Sequence, residues 1–121
     1  MGNFQELKVW QRGKDLAVFL YTISRTGEFA EDRDLRGQMR RAGVSIPSNI
    51  AEGDELDTDR QAIRFFYIAK GSCAELLTQA ITAHEIGYLT RQDFDHVECE
   101  CQAISKMLTA LIRSRKTKKD Q

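Results

Sequence analysis

The chain has 121 residues, which is enough for one domain with a single core and too few for two. Hydrophobic residues make up 41% and charged residues 30%, with one proline, which is typical of a helix-rich globular protein and excludes a disordered one. The formal net charge is zero, which argues against a dedicated nucleic-acid-binding domain, because such domains are basic.

The first predicted helix runs from about Glu6 to Arg25. Its apolar residues cover an arc wider than a single surface stripe, so we expect this helix to contact more than one neighbour. The apolar residues are Leu7, Trp10, Leu16, Ala17, Phe19, Leu20, Tyr21 and Ile23. Thr26 and Gly27 end the helix, because glycine suits the left-handed conformation of a helix C-cap.

The second predicted helix starts in the acidic turn Glu31-Asp32 and ends near Gly53. One apolar stripe with spacings of 3 and 4 supports it: Leu35, Met39, Ala42, Ile46 and Ile50. Pro47 lies inside this stripe, where proline removes a backbone hydrogen bond. We therefore expect helix two to bend at Pro47.

Polar residues crowd this proline, and two interpretations are open. The first is a structural polar brace that satisfies carbonyl groups near residue 43, and it is the one we favour. The second is a contact with a ligand or with RNA at the end of the bundle. The residues of the brace are Ser45, Pro47, Ser48, Asn49, Glu52 and Gly53.

Two further helices complete the pattern. Thr58 and Gln61 form a capping box that starts helix three, which runs about 28 residues to Gly87 with small residues on its seam. Thr90 caps helix four, whose apolar residues from Phe94 to Leu111 alternate at 3 and 4. The sequence therefore predicts an all-α, antiparallel up-down-up-down four-helix bundle.

Several apolar residues fall outside these seams, and we interpret the surplus as an interface between copies of the chain. They are Val9, Val18, Phe65, Ile68, Leu77, Ile81, Ile86, Met107 and Ile112.

The charge is uneven along the chain. Residues 1–51 carry 8 basic and 6 acidic side chains, residues 52–112 carry 5 and 11, and residues 113–121 carry 5 and 1. The last stretch, RSRKTKKDQ, has no apolar periodicity, so we expect a frayed helix end followed by disorder. The predicted organisation is a four-helix bundle domain at 1–112 and a basic disordered tail at 113–121.

Four stretches of the chain together resemble a known family. They are LKVWQ, QMRRAGVSIPSNIAEG, RFFYIAKGSCAELLTQ and HEIGYL. The family comprises small bacterial four-helix-bundle proteins encoded in intervening sequences of 23S ribosomal RNA genes. It includes the accessory variability proteins of diversity-generating retroelements.

This resemblance implies an up-down bundle that assembles into a homopentameric ring, with no member recognised as an enzyme. For the retroelement branch it also implies binding to nucleic acid and to a reverse transcriptase. Two departures stand out: Phe29-Ala30 replaces the usual Phe-Pro, and an acidic loop replaces aromatic, glycine and basic residues. The loop carries Asp54, Glu55, Asp57 and Asp59, which count against phosphate contact at that end.

No catalytic constellation is present, so we expect no enzymatic activity, no cofactor and no metal. Asp93 and His96 provide one Asp-x-x-His pair, while a di-metal bundle site needs two such pairs and two further carboxylates. An odd number of cysteines on helical patterns suits reduced thiols, and the sequence shows no signal peptide and no membrane span. These features predict a cytoplasmic protein.

The candidate nucleic-acid-binding residues are basic and fall in two groups. The groups are Arg33, Arg36, Arg40 and Arg41 on helix two, and Arg113, Arg115, Lys116, Lys118 and Lys119 in the tail. Adjacent helix positions diverge by about 100°, so we expect Arg40 and Arg41 not to face the same partner. The alternative is structural, with one arginine paired to a carboxylate such as Glu52.

Two functions remain open. The first is a non-enzymatic homo-oligomer, expected to be a pentamer, that binds RNA or DNA and displays several basic tails together. The second is a protein-interaction scaffold that presents the acidic rim Glu52–Asp59 to a basic partner protein and binds no nucleic acid.

Overall fold

The structure, a computed structural model, describes residues 2–120, with side chains as far as residue 116. After a 3-10 turn at Phe4–Glu6, five helices follow. They are α1 (Lys8–Ile23), the short α2 (Gly27–Glu31), α3 (Arg33–Glu55), α4 (Asp59–Glu85) and α5 (Arg91–Asp120). The predicted all-α fold with four long helices is confirmed.

The helix starts follow the capping residues. Thr58 Oγ1 accepts a hydrogen bond from the Gln61 amide at 3.2 Å, and Thr90 Oγ1 accepts one from the Asp93 amide at 3.1 Å. These two contacts confirm both predicted caps, since each satisfies an amide without an intrahelical partner. Gly27 has φ +70°, the left-handed conformation expected of it, and the short α2 follows.

The four long helices pack in a closed cycle. Helix α3 packs on α1 and α4, and α5 packs on α4 and α1. Ser45 contacts Ser72 across α3 and α4, and Lys70 contacts Thr109 across α4 and α5. These are pairs that an up-down-up-down order requires. The order itself and the bend at Pro47 stay predictions.

The core contains the predicted stripes. Met39, Ala42, Ile46 and Ile50 of α3 are buried, as are the small residues along α4. Tyr21, assigned to the apolar face of the first helix, is exposed, and this expectation was wrong. Of the apolar residues outside the seams, some of which a monomer can cover, Val9 and Ile112 are buried.

The last helix continues past the predicted domain boundary at residue 112 and ends at Asp120. The side chains of Lys118 and Lys119 lie outside the described ones. The division into a bundle domain and a disordered tail stays a prediction.

Candidate nucleic-acid interface

Arg40 and Arg41 line one open groove of about 530 Å³ on the outer side of α1 and α3. The Arg40 guanidinium lies 4.4 Å from the centre of the Tyr21 ring, and its Nε donates to Ser24 Oγ at 2.9 Å. Ser24 is held in turn, because its hydroxyl donates to the Leu20 carbonyl at 2.6 Å. Arg40 is therefore fixed in position at the groove.

The expected divergence of Arg40 and Arg41 does not keep them apart. Both side chains border the same groove, together with Gly37 and Val44. Arg41 extends back along α3, so that its Nη1 would lie 3.4 Å from a Cβ added at Gly37. Long side chains at adjacent positions can thus border the same groove. Among the described residues, neither arginine forms an ion pair with Glu52 or any other carboxylate.

The other two arginines of the first group differ from one another. Arg33 is exposed at the first position of α3. Arg36 is half-buried, and its Nη1 donates to the Ala30 carbonyl at 2.6 Å, which ties α2 to α3. Arg33 therefore remains accessible to a ligand, whereas Arg36 is engaged in the fold.

Arg115, a candidate of the second group, faces the acidic loop. Its two Nη atoms lie 3.1 Å from Asp59 Oδ1 and 3.3 Å from Asp54 Oδ1, and its guanidinium lies 5.5 Å from the Phe66 ring centre. Asp54 is only 8% exposed, and its Oδ2 accepts no hydrogen bond from a described residue. Arg115 thus compensates buried negative charge, and we call this ion-pair cluster the Arg115 clamp.

Arg113 and Lys116 border a smaller cavity of about 170 Å³ between α4 and α5. Lys116 Nζ donates to the Tyr67 hydroxyl at 3.1 Å. This cavity adjoins a second one of about 560 Å³, because Lys70 lines both. Sequence reasoning missed Lys70 and Lys106 here, because single lysines on helix faces carry no local signal.

The two basic groups lie far apart. Arg33 is in the first turn of α3, whereas the Arg115 clamp lies at the last turn, and a helix of 23 residues is roughly 30 Å long. The candidate residues therefore form two surfaces and cannot bind one phosphate together.

The polar residues around Pro47 divide into bonded and solvent-facing ones. Asn49 Nδ2 donates to the Ser45 carbonyl at 2.8 Å and to Ser45 Oγ at 2.9 Å, and Ser45 Oγ contacts Ser72 Oγ at 2.8 Å. Pro47 and Gly53 are buried, while Ser48 and Glu52 are exposed. The Asn49 side chain satisfies the carbonyl of Ser45, and the contact between Ser45 and Ser72 joins α3 to α4. We had expected these polar residues to satisfy a carbonyl near residue 43.

A second ion pair, which sequence reasoning missed, joins α1 to α5. Arg12 donates through Nε and Nη2 to the two oxygens of Glu100 at 3.0 and 2.7 Å. These hydrogen bonds lower the pKa of Glu100 and raise that of Arg12, because they favour both charged forms.

The two buried cysteines and the two histidines pack against other side chains of the bundle. Burial raises the pKa of Cys73 to about 11 and that of Cys101 to about 12, so both stay protonated at neutral pH. His84 stacks on Phe94 at 4.7 Å, and His96 contacts the edge of Phe19 at 4.5 Å. The described residues include no group of three or more potential metal ligands.

The comparisons with known proteins agree with this architecture. Residues 5–110 match the family of 23S rRNA-intervening sequence proteins. The chain belongs to this family. No protein of curated function matches it in sequence.

Solved structures share the fold of this chain. A protein with unknown function from the S23 ribosomal protein family of Bacteroides thetaiotaomicron superposes with a TM-score of 0.79 and 21% identity. The alignment covers 86% of this chain and 97% of that one, so the shared fold extends over nearly the whole bundle. Across the described residues, no helix has the length and apolar character needed to cross a membrane.

Proposed function

We propose that this member of the 23S rRNA-intervening sequence family is a non-enzymatic, cytoplasmic homo-oligomer that binds RNA or DNA. The observation that carries the proposal is the groove bordered by Arg40 and Arg41, whose lining contains no carboxylate. Two arginines that border one groove without an acidic partner are suited to phosphate, which arginine binds through two parallel hydrogen bonds.

The two arginines have different roles in this proposal. Arg40 is oriented by Ser24 and Tyr21, so little side-chain freedom is lost when a phosphate binds. Arg41 is exposed to solvent and contributes electrostatic attraction to the phosphate. Exposed Arg33 lies about two turns away on the same helix and extends the positive surface.

The test is the replacement Arg41→Glu, at an exposed position. We expect binding to structured RNA or to duplex DNA to weaken about tenfold at low salt, with a smaller dependence on salt concentration. Lys14→Glu is the matched control, because Lys14 is exposed on α1 and does not line the groove. Fluorescence anisotropy at several salt concentrations measures both quantities. Equal losses in the two variants, or binding that is insensitive to salt, would contradict the proposal.

Self-association is part of the same proposal, with a pentamer as the expected state. Val18 of α1 and Ile68, Ile81 and Ile86 at or after α4 are large apolar side chains left exposed by the monomer. A closed ring joins two different patches of each copy, and α1 and α4 provide such patches. Native mass spectrometry should give five chains, and Ile68→Glu should give smaller species. A monomer at micromolar concentration would contradict the ring.

A second candidate function is a scaffold whose acidic rim binds a basic partner protein. Glu52, Glu55 and Asp57 of this rim are exposed, whereas Asp54 and Asp59 belong to the Arg115 clamp. Charge reversal at Glu55 and Asp57 is therefore the informative variant, because it leaves the clamp intact. Loss of a captured basic partner, with nucleic-acid binding absent throughout, would favour this function over the first.

A further inference from the structure

The two cavities between α4 and α5 share Lys70 in their linings, and we call the surface that they form together the α4–α5 groove. Its lining carries four cations and no carboxylate, and two of the cations, Lys70 and Lys106, come from the acidic stretch 52–112. The cations are Lys70, Lys106, Arg113 and Lys116. Folding therefore gathers into one groove positive charge that is dispersed along the sequence.

The cations stand on both walls of the groove. Lys70 comes from α4 and Lys106, Arg113 and Lys116 come from α5, so a ligand lying in the groove meets positive charge from two sides. Lys106 and Lys116 are ten positions apart, which is about 15 Å along α5. Such a row of cations suits a linear polyanion better than one isolated phosphate.

The floor of the groove is not charged. Cys73 and Cys101 are buried and protonated, and Ala74 and Leu77 add apolar surface beside them. Tyr67 borders the end near Lys116 and is 48% exposed. An apolar floor and an accessible aromatic ring provide surfaces on which bases can stack.

We propose that the α4–α5 groove binds single-stranded nucleic acid, with the phosphates on its lysine walls and bases against Tyr67 and the apolar floor. This inference rests on the proposed nucleic-acid function and assigns it a second surface. A single strand leaves its bases free to contact Tyr67 and the floor of the groove, whereas in a duplex the bases are already stacked on each other and cannot reach Tyr67.

The test uses full-length protein and a labelled oligothymidylate of about 12 nucleotides, within the range of single-strand site sizes. We expect Lys70→Gln/Lys106→Gln to weaken its binding about tenfold and to reduce the salt slope by about 1.4. Tyr67→Leu should weaken binding about fivefold with the slope unchanged. Lys14→Gln is the charge control and should change neither quantity.

Two features keep the test decisive. Lys106→Gln alone serves if the double variant misfolds, since Lys106 is exposed and the described residues show no contact of its ammonium group. Oligothymidylate affinity within about twofold of wild type in the folded variants would overturn the inference. So would tighter binding of a polyglutamate peptide of similar length, lost in the same variants, because the groove would then be a protein site.

The inference and the proposed function can fail separately. If Arg41→Glu abolishes binding to structured RNA or duplex DNA while the wild-type protein ignores oligothymidylate, only the inference falls. If the wild-type protein binds none of the three nucleic acids, both fall.

Discussion

Arg12 and Glu100 show how one residue pair secures the contact between α1 and α5. The Arg12 side chain is 42% exposed and that of Glu100 16%, so solvent screens the pair from one side. Both hydrogen bonds are charge-assisted and the arrangement is bidentate, which favours a measurable contribution. We expect a contribution of about 0.2–1 kcal/mol, the range of exposed ion pairs.

This contribution should depend on pH. Folding lowers the pKa of Glu100 below its ordinary value of 4.5, so the stabilisation is present above about pH 4.5 and is lost as the pH falls through the folded value. Glu100→Gln should therefore lower the free energy of unfolding near pH 7 and have a smaller effect near pH 3. Urea unfolding at both pH values measures the difference. Glu98→Gln is the control, and a pH-dependent loss there of equal size would contradict the assignment.

At the scale of whole helices, Gly53 shows how closely α3 and α4 approach each other. A Cβ at Gly53 would lie 2.8 Å from Phe66 Cε1 and 3.1 Å from the Ala62 carbonyl oxygen, and the backbone oxygen cannot move aside. At Gly71, on the outside of α4, a Cβ would meet nothing within 4 Å. The two positions share helical conformation and differ in surroundings.

Alanine at these two sites should have opposite effects. Gly53→Ala should destabilise the bundle by about 1–2 kcal/mol, because overpacking exceeds the gain in helix propensity. Gly71→Ala should stabilise it by about 0.5–1 kcal/mol, because alanine loses less backbone entropy in a helix. Thermal or urea unfolding gives both values. Stabilisation by Gly53→Ala would mean that α3 and α4 are not in close contact.

The elements themselves were predictable because apolar periodicity and capping residues are local signals. Thr58 and Thr90 start helices as expected, and the α3 stripe is buried. Helix α2 was missed because its five residues are too few to show a helical period. The partners of Arg12 and Arg115 could not be predicted. The partner of Arg12 lies 88 residues away, and those of Arg115 lie 56 and 61 residues away, among many carboxylates.

At the scale of the whole molecule, the Arg115 clamp connects the predicted tail to the bundle, because Arg115 forms ion pairs with Asp54 and Asp59. Removing residues 113–121 would leave the buried Asp54 carboxylate without its cation. We expect a loss of about 1–3 kcal/mol in the free energy of unfolding, because an uncompensated buried charge is costly. Removing residues 117–121 keeps Arg115 and should change stability little. Equal stability of the two truncated proteins would contradict a structural role for the clamp.

The closed cycle of long helices also has a consequence for the order in which contacts form. Three of its four interfaces join helices that follow one another along the chain, and only α1 against α5 joins distant segments. A fold with mostly local contacts folds rapidly. Formation of the α1–α5 contact closes the longest loop and therefore has the largest entropic cost. We therefore expect the α1–α5 interface to form after the transition state. Glu100→Gln would then leave the refolding rate unchanged and accelerate unfolding, so the Arg12–Glu100 pair governs the lifetime of the folded state.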